Sequence, residues 1–186
     1  PLSFFPRFSL IGCSPVMASE LPLSYNKKPM VPPPETTPPA ERLTSLLLPG
    51  GGIPYYRGGG PSVETALLAL LAVSASGGPG EAGKALLAGV SRLQNPDGSV
   101  GLDPAQPGQG MWLTAPAAVV FHRYGLRDAR DRALGFLLAL KSVTVANDAN
   151  VRQDNTIVGW PWVPGTFGWV EPTAWSVVAM NVCGRA

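Results

Sequence analysis

The sequence predicts an all-α protein built as a double-layered array of helical hairpins, and three observations carry that prediction. Two segments, Trp112-Leu-Thr-Ala-Pro-Ala-Ala and Trp169-Val-Glu-Pro-Thr-Ala-Trp, open apolar helices in nearly the same words, and Val63-Glu-Thr-Ala-Leu-Leu-Ala echoes them. The Thr-Ala pair recurs at Thr65, Thr114 and Thr173, at spacings of 49 and 59 residues, and two further helical stretches starting at Glu81 and Asp128 align without a gap at a spacing of 47. The stretches also alternate between apolar on every face and amphipathic. A repeat of this size is one helical hairpin that must stack on its neighbours to share a core, and the alternation assigns the first kind of helix to an inner layer and the second to an outer one.

Residues 1 to 60 carry little periodicity and many breakers, among them Pro32-Pro33-Pro34, Pro38-Pro39 and the glycine groups at 50 to 52 and 58 to 60. Such a segment buries too little apolar surface to offset its ordering entropy, with residues 41 to 48 as the one exception. The domain organisation expected is therefore a disordered or extended leader over 1 to 60 and a repeat domain over 61 to 186. Pro1 in place of Met, with Met17 followed by Ala18 and Ser19, suggests that residues 1 to 16 are untranslated or fusion-derived.

The first inner helix, expected over 62 to 77, starts at Ser62, a good N-cap, with Glu64 in the first turn where the helix dipole favours negative charge. Gly77-Gly-Pro79 ends it. Residues 80 to 94 form the first outer helix, with Ala82, Ala85, Leu86, Val90 and Leu93 on one side and Glu81, Lys84, Ser91 and Arg92 largely on the other. The second inner helix spans 112 to 124, where Pro116 is tolerated because a first-turn N–H has no bond to make. An outer helix over 127 to 142 follows, and a third inner helix over 171 to 184, with Pro172 matching Pro116 in role.

Composition bounds function by exclusion. The hydrophobic fraction of 45% with 14% charged residues suits a buried-core protein, and a net charge of +2 is too small for a nucleic-acid surface. Arg123, Arg127, Arg130 and Arg132 form the densest basic group, but Asp128 and Asp131 are interleaved with them. Cys13 and Cys183 lack the neighbours of a disulfide scaffold or a zinc site. The longest strictly apolar run, Ala66 to Val73, has eight residues, against the ~20 of a transmembrane helix. Leu10-Ile-Gly-Cys13 matches a lipoprotein cleavage pattern, but Pro6 and Arg7 interrupt the apolar region such a signal needs, so a cytoplasmic location is favoured over anchoring through Cys13.

Two segments carry a family resemblance. Leu93-Gln-Asn-Pro-Asp-Gly-Ser-Val-Gly101 looks like the Gln-rich turn of the prenyltransferase and squalene-cyclase repeat, with Val100 where that motif has tryptophan. Gly159-Trp-Pro-Trp-Val-Pro-Gly-Thr-Phe-Gly-Trp-Val-Glu-Pro-Thr-Ala-Trp175 resembles the corresponding segment of bacterial repeat proteins of that group. The resemblance, covering roughly residues 61 to 186, implies an α/α toroid: inner helices ringed by outer ones, normally about six of each. Three inner and two outer helices are countable here, so the chain is expected to be a partial copy, an incomplete toroid.

Chemistry is not carried over with the resemblance. The cyclases protonate an alkene with an Asp-x-Asp-Asp motif, and the nearest aspartates, Asp148 and Asp154, do not reproduce it; they are expected to satisfy turn backbone. The protein prenyltransferases hold zinc with Asp, Cys and His, but Cys183 has Asn181 rather than Asp two residues before it. The single histidine, His122, is expected to pack on an apolar helix. Asn95-Pro-Asp-Gly-Ser is expected to be a tight turn, and the glycine groups lack the Gly-Lys-Ser/Thr of a phosphate loop. No catalytic residue, metal ligand or cofactor is assigned. The ligand-lining candidates are Trp112, Trp169, Glu171 and Trp175, because in the cyclases aromatic faces line the cavity. The expected ligand is an isoprenoid or another apolar small molecule; the alternative is a non-catalytic module that binds protein or glycan through its concave face or the aromatic loop at 159 to 169.

Overall fold

A computed structural model of the chain describes residues 39–48, 52–75, 78, 80–102, 111–150, 152 and 154–184. They belong to one unit, Thr36–Ala186. Among them are six α-helices and no strand: α1 Pro39–Leu46, α2 Val63–Ser74, α3 Gly80–Ser91, α4 Thr114–Arg123, α5 Arg127–Ala139 and α6 Val170–Cys183. The described residues are all-α, as the periodicity predicts. The expectations for residues 1 to 38, Cys13 included, lie outside the described residues.

Local chemistry sets the helix ends. The Ser62 hydroxyl accepts the Thr65 N–H at 3.3 Å and caps α2. A 3₁₀ turn, Met111–Leu113, leads into α4, with Pro116 in the first turn. At the far end, Gly125 adopts φ +70, and the N–H groups of Gly125 and Leu126 return to the carbonyls of His122 (3.2 Å) and Phe121 (2.9 Å). That pair of bonds is a Schellman cap. It reverses the chain at once into α5, so α4 and α5 pack as a hairpin.

In α4, every residue from Thr114 to Phe121 is buried. The helix contacts α2, α5 and α6. The outer helices are amphipathic: α3 buries Gly83, Leu86 and Val90, although Ala85, expected on that side, is exposed, and α5 buries Ala133 and Leu137 while Leu138 stays 69% exposed. Two expectations need correction. The first and third inner helices are not buried all round: α2 leaves Leu68 47% exposed, and α6 buries only the stripe Pro172, Ser176, Ala179 and Cys183. The reason is position: among the described helices, α4 packs against both α2 and α6, while α4 is the one inner helix with which α2 and α6 each make extensive contact. Residues 140 to 142 do not continue α5, because Leu140 is already extended (ψ 124) and the β-branched run Val143-Thr-Val145 pairs elsewhere. Its N–H groups at Val143 and Val145 bond the Thr166 and Asn155 carbonyls.

The core also reaches back past residue 61. Leu43 of α1 and Ile53 are each 3% exposed, and α1 packs on α2 and α3. Residues 41 to 48 thus supply the short apolar stretch that the sequence set apart from the leader.

Candidate functional site

Each inner helix is approached by an extended segment that docks on its first turn, and the docking bonds recur. The Val100 N–H donates to Thr114 Oγ1 at 2.9 Å, and the Trp160 N–H donates to Thr173 Oγ1 at 2.9 Å. The Ile53 carbonyl accepts from Ser62 N–H (2.8 Å), and the Trp160 carbonyl accepts from Trp169 N–H (3.0 Å). Ile53, Val100 and Trp160 therefore hold equivalent places before α2, α4 and α6. Trp160 fills its place with an indole whose N–H reaches the Leu137 carbonyl near the end of α5, at 2.9 Å.

The Gln-rich turn is a structural clamp. Gln94 Nε2 donates to the carbonyls of Gly98 (3.2 Å) and Ala129 (2.8 Å), and its Oε1 accepts from Arg132 Nη2 at 2.6 Å. The end of α3 is thereby fixed to α5. Gly98 permits the fit: it lies at φ +93, and a Cβ there would collide with the Arg132 carbonyl oxygen.

The polar candidates fall where turn chemistry puts them. Asp154 accepts both the N–H (3.0 Å) and the hydroxyl (2.6 Å) of Thr156, and these bonds hold its carboxyl below the usual aspartate range. Asp148 accepts similarly from Asn150. Among the described residues no three His, Cys, Asp or Glu side chains gather as a metal site. His122 is half-buried in the last turn of α4, and its Nδ1 has no hydrogen-bond partner among them.

Among the described residues, two cavities divide the ligand-lining candidates. Trp112 and Trp175 flank a gap of about 10 Å³ with Glu64, Leu67, Leu68, Leu113 and Pro116, which is space for one water at most. Trp112 also meets Trp162 edge to face, with centroids 4.8 Å apart. Glu171 is exposed and lines neither cavity. Trp169, 44% exposed, lies on an open cleft of about 420 Å³, within the size range of small-molecule sites.

That cleft is walled by Ile157, Val158, Trp169 and Val170, with Asp154, Thr173, Gly159 and Gly168 completing it. The walls are wet: Val158 is 78% and Val170 87% exposed. Two chain segments cross at the glycines, where a Cβ on Gly168 would come 2.8 Å from Gly159 Cα, and one on Gly159 would come 2.6 Å from Thr173 Oγ1. Sequence reasoning missed Ile157, Val158, Val170 and the glycine pair. The signal available was an Ile-Val pair closing a polar run, with Gly159 and Gly168 bracketing the aromatic loop.

Comparison of the chain with protein-family models, with curated proteins and with solved structures finds no match.

Proposed function

We propose that this chain is a helical-repeat protein of the prenyltransferase and squalene-cyclase kind, a partial α/α toroid that holds an isoprenoid or another apolar ligand without transforming it. The observation that carries the reading is the cleft beside α6, where Ile157, Val158, Trp169 and Val170 place apolar surface around about 420 Å³ of open volume. Covering such side chains contributes ~25 cal/mol per Å² of apolar area removed from water. The repeated docking of Val100 on Thr114 and Trp160 on Thr173 supports the repeat assignment. The degree of exposure of Val158 and Val170 favours, as the second reading, a module that binds protein or glycan through the loop at 159 to 169.

The test is titration with farnesol and with a linear alcohol of equal length, followed by calorimetry. Saturable binding is expected, weakened about tenfold in Trp169→Ala, a loss of ~1.4 kcal/mol. Trp112→Ala and Trp175→Ala should leave affinity intact, because those rings border only the small gap. Absence of saturable binding, or an unaffected Trp169→Ala, refutes the reading; turnover of squalene or a prenyl diphosphate refutes its non-catalytic part.

A further inference from the structure

Among the described residues that wall the cleft beside α6, Asp154 alone carries a charge. Ile157, Val158, Trp169 and Val170 are apolar, and Gly159 and Gly168 present backbone. The remaining polar side chain, Thr173, is already engaged: its Oγ1 accepts the Trp160 N–H at 2.9 Å and lies 3.5 Å from the Trp160 carbonyl. A ligand that lays an apolar chain in the cleft therefore meets one negative charge and no positive side chain among these residues.

Asp154 is held in place and held ionised. Its Oδ1 accepts the Thr156 N–H and hydroxyl at 3.0 and 2.6 Å, and Asn147 adds a further hydrogen bond. These donors keep the carboxyl below its usual range. A carboxylate offers about four lone-pair sites on its two oxygens, so room for a ligand's donor is left. Two features of the surroundings favour anions, and neither reverses the sign. Arg152, the nearest basic residue in sequence, is exposed and does not line the cleft. The start of α6 at Val170 carries a partial positive charge of about half a unit, but Glu171 sets a full negative charge in the same turn.

We infer that the ligand of this cleft is an amphiphile with a protonated amine at its polar end, an isoprenoid or other long-chain amine, whose ammonium pairs with the Asp154 carboxylate. A hydroxyl head can also donate to Asp154, but a charge-assisted bond is the stronger. A phosphorylated head brings two like charges together and is rejected. The inference rests on the reading of the cleft as a site for an apolar ligand, and adds the head group to it.

The experiment titrates the full chain, by calorimetry and below the aggregation concentration of each probe, with farnesylamine, farnesol and farnesyl phosphate. The three share a tail and differ at the head. The amine should bind about two- to fivefold tighter than the alcohol, the range of an exposed ion pair, and the phosphate more weakly than either. Raising the salt to about 0.5 M should shrink the difference. Asp154→Asn keeps an oxygen for Thr156 and should bring the amine to the affinity of the alcohol. Asp148→Asn removes an exposed carboxylate that holds a similar turn outside the cleft lining, and should keep the preference. If the alcohol binds and the amine binds no tighter, this inference falls and the cleft reading stands. Tighter binding of the phosphate, or a preference for the amine that survives Asp154→Asn or is lost equally in Asp148→Asn, overturns it too. If none of the three binds, the cleft reading fails and takes this inference with it.

Discussion

Replacing Thr114 with valine isolates the bond on which the inner-helix repeat turns. The two side chains have nearly the same volume, so packing is kept while Oγ1 is lost, and the Val100 N–H that it accepts at 2.9 Å is left without that acceptor. Thr114 and Val100 are both fully buried, which keeps water from replacing the bond. Stranding a buried donor costs ~1 to 3 kcal/mol. For a folded unit of this size that lowers the melting temperature by about 2 to 12 °C, at roughly 2 to 4 °C per kcal/mol. Thr173→Val removes the equivalent bond to Trp160, but there the site is only half-buried and water can compensate, so a smaller loss is expected. Thr65 is also half-buried, and its part in capping is to donate its backbone N–H to Ser62; Thr65→Val should change stability by less than ~0.5 kcal/mol. Urea denaturation of the three variants gives the order directly. A Thr114→Val protein as stable as the parent, or a Thr65→Val protein as damaged as Thr114→Val, refutes the claim that this hydroxyl anchors the repeat.

Gly98→Ala should destabilise by about 2 kcal/mol or more, since φ +93 strains an L-residue and the new Cβ meets the Arg132 backbone, and the same denaturation assay reads the loss. Burial raises the Cys183 thiol above its usual pKa against the partly opposing charges of Arg130 and Arg123, so the thiolate is scarce at neutral pH. Alkylation of Cys183, mapped by mass spectrometry, should therefore be slow in the native protein and speed up in denaturant; equal rates in both states would contradict its burial.

The helices were readable from the sequence because each follows from local rules: Ser62 and Glu64 open α2, Pro116 fits only the first turn of α4, and the periodicity of residues 81 to 93 puts Leu86 and Val90 on the buried side. The exposure of α6 was not readable. Its composition says that every face prefers burial, but which faces are covered depends on how many neighbours stand beside it. The stretch 41 to 48 stood out in the sequence, but the inclusion of Ile53 was hidden, since it is an isolated apolar residue among glycine and proline breakers whose burial appears only in the folded core. At the candidate site Trp169 was found by its place before a repeated helix. Gly159 and Gly168 were not, because their crossing depends on tertiary pairs such as Val143 with Thr166, and no local pattern sets that register.

Native-state amide hydrogen exchange tests the layered account most directly. The order of opening should follow enclosure, with well-packed elements exchanging only by global unfolding and others by local opening. The α4 amides beyond its first turn, residues 118 to 123, should exchange slowest, at the rate set by global unfolding. Those of α3 and α5 should be faster, and those of the short, peripheral α1 fastest. Residues 118 to 123 exchanging as fast as α1, or α3 and α5 more slowly than α4, would contradict it.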